Sequence, residues 1–166
     1  IGFDAAGRGE FEPTTQLAVR KAMAHAIDRQ SLVENLIRGD ARVIHTPCFP
    51  TQFGCDEEVA VKWEYDQDKA RELLAEAGYP DGFEIEFYTF RPADWAEAIM
   101  ADLAEVGIDA NLTKMPYFAL RDKQRNEGTT PMYLIDWASY SMNDMSAITS
   151  HFFKMGPDDM AMDEEV

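Results

Sequence analysis

Between residues 83 and 137 the hydrophobic period switches back and forth between that of a strand and that of a helix, and this switching constrains the fold more than any other property of the chain. Phe83-Glu-Ile-Glu-Phe-Tyr-Thr-Phe90 alternates at period two, with Phe83, Ile85 and Phe87 on one face of a half-buried strand. Arg91-Pro92 breaks it. A helical stripe then carries Trp95, Ile99, Leu103 and Val106 inward and stops at Gly107. Ile108, Ala110 and Leu112 alternate again. A polar helix from about Tyr117 to Arg125 leads to Gly128, and Met132 to Trp137 reads as a continuously apolar third strand. Strand, helix, strand, helix, strand describes two crossover units, which build a mainly parallel sheet with flanking helices. The expected class is α/β.

The segments upstream fit that frame. Val19, Ala22, Met23, Ala26 and Ile27 make one buried stripe on a helix from about Thr15 to Ile27, and a short helix from about Arg29 runs to a stop at Gly39. Asp66 is a good N-cap for a helix that buries Ala70, Leu73, Leu74 and Ala77 and ends at Gly78. A last helix is expected over Asp144 to Phe153. Ile1-Gly-Phe-Asp reads like the inside of a strand, and Met160 to Val166 like the start of a helix, so residues 1–166 are expected to be a single domain cut from a longer chain.

Composition narrows the function classes. With 46% apolar residues the chain can build one real core. Its 31 acidic residues against 15 basic ones give a net charge of -16, which repels nucleic-acid phosphates and anionic lipid. No apolar run approaches the roughly 18–20 residues of a membrane span. There is no Gly-x-Ser-x-Gly elbow, phosphate-cradling glycine loop or dinucleotide fingerprint. His25, His45 and His151 are scattered, and the nine methionines are dispersed over core positions. Neither a metal nor a cofactor is expected, and the chain does not read as an enzyme.

Cys48 and Cys55 flank a Pro- and Gly-rich stretch within the aperiodic segment from Asp40 to Trp63. Zinc would require further ligands, and only His45 is near; a redox pair would normally be Cys-x-x-Cys at a helix start. A disulfide is the favoured reading. It would constrain the unfolded chain by about 2.5 kcal/mol in the loop-entropy model and imply an oxidising compartment.

Ligand sites in sheets of this kind gather beyond the carboxyl ends of the strands. Arg91 follows one such end, and Trp137, Ser139 and Tyr140 follow another. An arginine there could clamp a carboxylate bidentately, with Trp137 and Tyr140 as apolar walls with polar tips. Arg91 could equally be a surface guanidinium beside a turn.

Three motifs, in order, resemble the family 5 solute-binding proteins that serve ABC importers of dipeptides, oligopeptides, nickel and related solutes. They are Val19-Arg-Lys-Ala-Met-Ala-His-Ala-Ile-Asp-Arg29, the run Tyr65-Asp-Gln-Asp-Lys-Ala-Arg-Glu-Leu-Leu-Ala-Glu-Ala-Gly-Tyr-Pro-Asp-Gly-Phe83, and Asp102-Leu-Ala-Glu-Val-Gly-Ile108. The resemblance implies an exported, periplasmic two-lobed clamp with a periplasmic-binding-protein type II-like fold, of which this chain is most of the second lobe. The lobes close on a peptide or similar small solute by hinge motion, and the closed form docks on a membrane permease. Arg91 matches a position where dipeptide-binding members hold the peptide carboxylate. Peptide-binding members carry an acid a few residues after the matching tryptophan; here the run is Ala138-Ser-Tyr-Ser-Met-Asn-Asp144, so the amine anchor is either displaced to Asp144 or missing. The rival is a solute-sensing or catalytic protein that has incorporated this lobe.

Overall fold

In the computed structural model, which describes residues 1–37, 39–137, 143–153 and 158–162, the alternating segments pair into one sheet. Its strands are β1 (Gly2–Phe3), β2 (Phe83–Thr89), β3 (Ile108–Lys114) and β4 (Met132–Leu134), in the order β1-β4-β2-β3. β2 is parallel to β3 from Phe83↔Ile108 to Thr89↔Lys114, and parallel to β4 from Phe87↔Met132 to Thr89↔Leu134. Only β1 runs antiparallel, against β4. The helices are α1 (Leu17–Ala26), α2 (Arg29–Asn35), α3 (Gln67–Glu76), α4 (Ala93–Ala104), α5 (Tyr117–Asp122) and α6 (Ser146–Phe152).

The stripes fall where the periodicity places them. Val19, Ala22, Met23 and Ala26 of α1 are fully buried, as is Ala70 of α3, and Leu74 nearly so. Small residues on both helices let their axes approach closely, so this pair packs as one layer over the sheet. Ile85 and Phe87 of β2, Ile108 and Ala110 of β3, and Ala96, Ile99 and Leu103 of α4 complete that core. The opposite face of the sheet carries a second, smaller core, in which Leu120 of α5 and Met160 pack with Tyr133, and Tyr88 and Phe90 lie against them. The helix after β2 and the helix after β3 therefore cover opposite faces.

Two glycines are required by close approach. Gly82, with φ +76°, opens β2, and a Cβ there would lie 1.8 Å from the Gly107 carbonyl oxygen. Gly2 lies against the Tyr133 ring, where a Cβ would come within 2.2 Å of it. In both cases two backbones or a backbone and a ring pass at a distance only glycine permits.

Several boundaries differ from expectation. The third strand stops at Leu134 rather than Trp137, because its neighbour β2 ends at Thr89 and leaves Ile135 to Trp137 without a ladder. Glu12–Thr15 is a 3-10 turn and α1 starts only at Leu17, while α2 ends at Asn35, short of Gly39. The polar helix is α5 continued by a π-helical turn over Lys123–Glu127, and its Arg121 and Gln124 are buried. Trp95 is only half-buried, and it lines a cavity rather than filling the core.

Candidate functional site

Because β2, β3 and β4 are mutually parallel, all three end on one edge. Their exits converge on Thr89: the Met115 amide donates to its carbonyl at 3.0 Å, its hydroxyl donates to the Leu134 carbonyl at 3.1 Å, and the same hydroxyl accepts the Arg91 amide at 2.9 Å. This fully buried threonine ties the turns after the three strands into one platform. The chain leaves β2 toward one face and β3 toward the other, so the gap between their ends is a topological switch point, where sheets of this class hold ligands.

Arg91 stands on the same edge, between the exits of β2 and β4. Its Nη1 lies 3.2 Å from Oδ2 of Asp136, and its guanidinium sits 4.7 Å from the Trp95 ring centroid and 5.6 Å from that of Phe90. Arg91 Nε is buried and has no hydrogen-bond acceptor among the described residues. On the β3 side, Phe90 meets Tyr117 edge-on at 5.0 Å, and Tyr117 meets Phe118 at 5.3 Å; Phe118 is 83% exposed. Asp136, Tyr117 and Phe118 were missed in the sequence. Part of the signal was present, since Tyr117 and Phe118 come within four residues of the end of β3 and Asp136 breaks the apolar run of the third strand.

Trp137 follows Asp136 on the same edge and packs on α6, with His151 at 4.5 Å and Phe152 at 5.0 Å between ring centroids. His151 Nε2 is 3.1 Å from Oδ2 of Asp158, a fully buried carboxylate that also accepts from Arg125 at 2.8 Å and from Arg121. Burial pushes the Asp158 pKa up, but hydrogen bonds from Arg125 and Arg121, and then their charges, outweigh it and leave the group below the usual carboxylate range.

Asp144 lies elsewhere. Its Oδ1 accepts the Ser146 amide at 2.8 Å, and hydrogen bonds from the Ser146 backbone and side chain lower its pKa. Its carbonyl accepts Gln52 Nε2 at 3.3 Å, so it faces the cysteine loop, and no contact joins it to Arg91 among the described residues. Cys48 and Cys55 form the disulfide. Ser139 and Tyr140 lie outside the described residues.

A cavity of about 410 Å³ opens between α1, α2, α4 and the ends of β1 and β4. Ile27, Leu32, Val33, Ile44 and Ile99 line it, and Trp95 separates it from Arg91. Among the described residues its one charged lining side chain, Arg29, is held by the carbonyls of Ala24 and Trp63. The cavity is an apolar adjunct to the edge rather than a place for charge recognition. No group of three or more His, Cys, Asp or Glu side chains is placed to hold a metal among the described residues.

Comparison with known proteins gives the family. The model of the bacterial extracellular solute-binding proteins, family 5 middle region, matches residues 5–159. The chain is 32% identical over 137 residues to heme-binding protein A of Haemophilus influenzae, covering 78% of this chain and 25% of that protein. It is 32% identical over 136 residues to the glutathione-binding protein GsiB of Salmonella choleraesuis, covering 77% and 26%. The chain thus spans about a quarter of the length of these relatives. Among solved structures, the ABC transporter-associated periplasmic binding protein DppA from Helicobacter pylori, in complex with the peptide STSA, superposes with a TM-score of 0.77 at 29% identity, covering 86% of this chain and 28% of that one. On sequence and on fold, this chain belongs to the family 5 extracellular solute-binding proteins.

Proposed function

We propose that the chain is most of the second lobe of a periplasmic receptor for an ABC importer, which captures a peptide or similar small solute between two lobes and delivers it to a membrane permease. It binds and performs no chemistry. The observation that carries this reading is Arg91: a guanidinium at the carboxyl edge of the sheet, held on one side by Asp136 and Trp95 and still 28% exposed. A carboxylate from the solute meets the exposed part of that guanidinium in a charge-assisted hydrogen bond. Tyr117, Phe118 and Trp137 supply apolar wall beside it. For the amine end of a peptide, the acid beside Arg91 among the described residues is Asp136, which is already paired with Arg91. Asp144 serves only if the opposite lobe directs the solute toward the cysteine loop, so carboxylate-bearing solutes other than free peptides are equally suited to Arg91.

The test is a thermal-shift screen of the polypeptide encoded by the complete gene against dipeptides, tripeptides, glutathione, haem and mannopine-type opine acids. Stabilisation by a carboxylate-bearing solute supports the reading. Turnover of a solute, or indifference to every carboxylate-bearing compound, contradicts it.

A further inference from the structure

The disulfide has no place in the site as described, yet its ring is wired to that site. Within the ring, Gln52 is buried and holds the turn together: its amide donates to the Phe49 carbonyl at 2.8 Å, and its side-chain Oε1 accepts the Phe49 amide at 2.9 Å. The Cys55 amide donates back to the Gln52 carbonyl at 3.1 Å. The ring then reaches across to the segment before α6. The Phe53 amide donates to the Asn143 carbonyl at 3.0 Å, the Met145 amide donates to the Phe53 carbonyl at 3.1 Å, and Gln52 Nε2 donates to the Asp144 carbonyl at 3.3 Å. Phe53 and Asp144 thereby form an isolated parallel bridge. At its other end α6 presents His151 and Phe152 to Trp137.

We infer that the Cys48–Cys55 ring is a positioning device for Trp137, with Gln52 as its key positioning residue. The ring fixes the start of α6, and α6 fixes the indole at the solute edge. A covalently closed ring suits this task because its turn cannot unravel independently, so the three hydrogen bonds meet a pre-organised partner and little ordering is left to oppose them. A floating loop of the same sequence would have to be ordered each time. That Trp137 contacts solute rests on the function proposed above; that the ring positions Trp137 does not.

The test uses the polypeptide encoded by the complete gene, labelled with 5-fluorotryptophan, and the Trp137 resonance is identified by its loss in Trp137→Phe. Trp63, held against His25 and Lys21 of α1, is the internal reference. Gln52→Glu keeps the acceptor for the Phe49 amide and the disulfide but removes the donor to Asp144, so it loosens the link without opening the ring, the two Phe53 backbone bonds remaining. Cys48→Ser/Cys55→Ser opens it. The expected result is that the Trp137 resonance shifts or broadens in both variants while Trp63 is unmoved in Gln52→Glu. The affinity for whichever solute the panel identifies should fall about fivefold in Gln52→Glu, the size of one lost hydrogen bond, while the buried carboxylate also lowers the melting temperature. A Trp137 resonance unmoved in both variants overturns the inference; a moved resonance with unchanged affinity upholds the ring as the positioning device and removes Trp137 from the solute contact. If the unmodified protein binds no solute, the receptor reading fails, and the resonance arm still decides whether the ring positions Trp137.

Discussion

Arg91 and Asp136, 45 residues apart in sequence, meet at 3.2 Å on the carboxyl edge of the sheet, where the exits of β2 and β4 are tied together through Thr89. The pair is partly exposed, at 28% and 58% of the side chains. Exposed pairs contribute little to folding, about 0–1 kcal/mol. Asp136→Asn should therefore leave the urea midpoint almost unmoved. A large loss would mean that the pair is structural and that Arg91 is not held in readiness for a solute.

The buried network around Asp158 behaves oppositely. Arg121 is 9% exposed and Asp158 fully buried, so removing either partner strands a charge. Asp158→Asn should destabilise the protein by about 3 kcal/mol, at the lower end of the range for broken buried pairs. The native carboxylate binds its proton less tightly than the unfolded one. Its contribution is accordingly present above the unfolded pKa of about 3.9 and is lost as the pH falls through the lower folded value. Denaturation followed between pH 7 and pH 3 should show a shallower acid limb in the Asn variant. Parallel limbs would contradict this assignment.

The crossover pattern was legible because β2, β3 and α4 are regular and one-sided, and periodicity reports such faces directly. The candidate edge was legible for the same reason, since Arg91 and Trp137 each follow a strand. What escaped was long-range polar pairing. Arg121, Gln124 and Asp158 look like solvated residues on a polar helix and in an acidic tail, and only folding brings them together. The end of the third strand was misplaced because apolar residues run on to Ile135 and resume at Trp137 while the neighbouring strand does not. The disulfide could be argued from spacing and its neighbours, but its hydrogen bonds to residues 143–145 could not.

Glycine tolerance should divide sharply by surroundings. Gly82→Ala combines a positive φ with a clash against the Gly107 carbonyl and should destabilise by about 3 kcal/mol or more. Gly39→Ala has an equally positive φ but nothing within 4 Å among the described residues, and should cost only about 1 kcal/mol. Chemical denaturation of the two variants compares them; equal losses would show that the approach of Gly82 to Gly107 is not tight.

Opening the disulfide should lower stability by about 2.5 kcal/mol, the loop-entropy contribution of so short a ring. The comparison is Cys48→Ser/Cys55→Ser against the oxidised protein by equilibrium unfolding. No loss would show that the ring is already ordered by Gln52 and Phe53 without the covalent bond.

The most direct measurement is isothermal titration of the polypeptide encoded by the complete gene with the carboxylate-bearing solute that stabilises it, in unmodified form and as Arg91→Ala and Arg91→Lys. Loss of a charged hydrogen-bond donor should weaken binding at least about tenfold in Arg91→Ala, with incomplete rescue by lysine, whose ammonium cannot hold Asp136 and the solute in one plane. Unchanged affinity in Arg91→Ala, with the fold intact, would contradict a carboxylate-holding role for this edge.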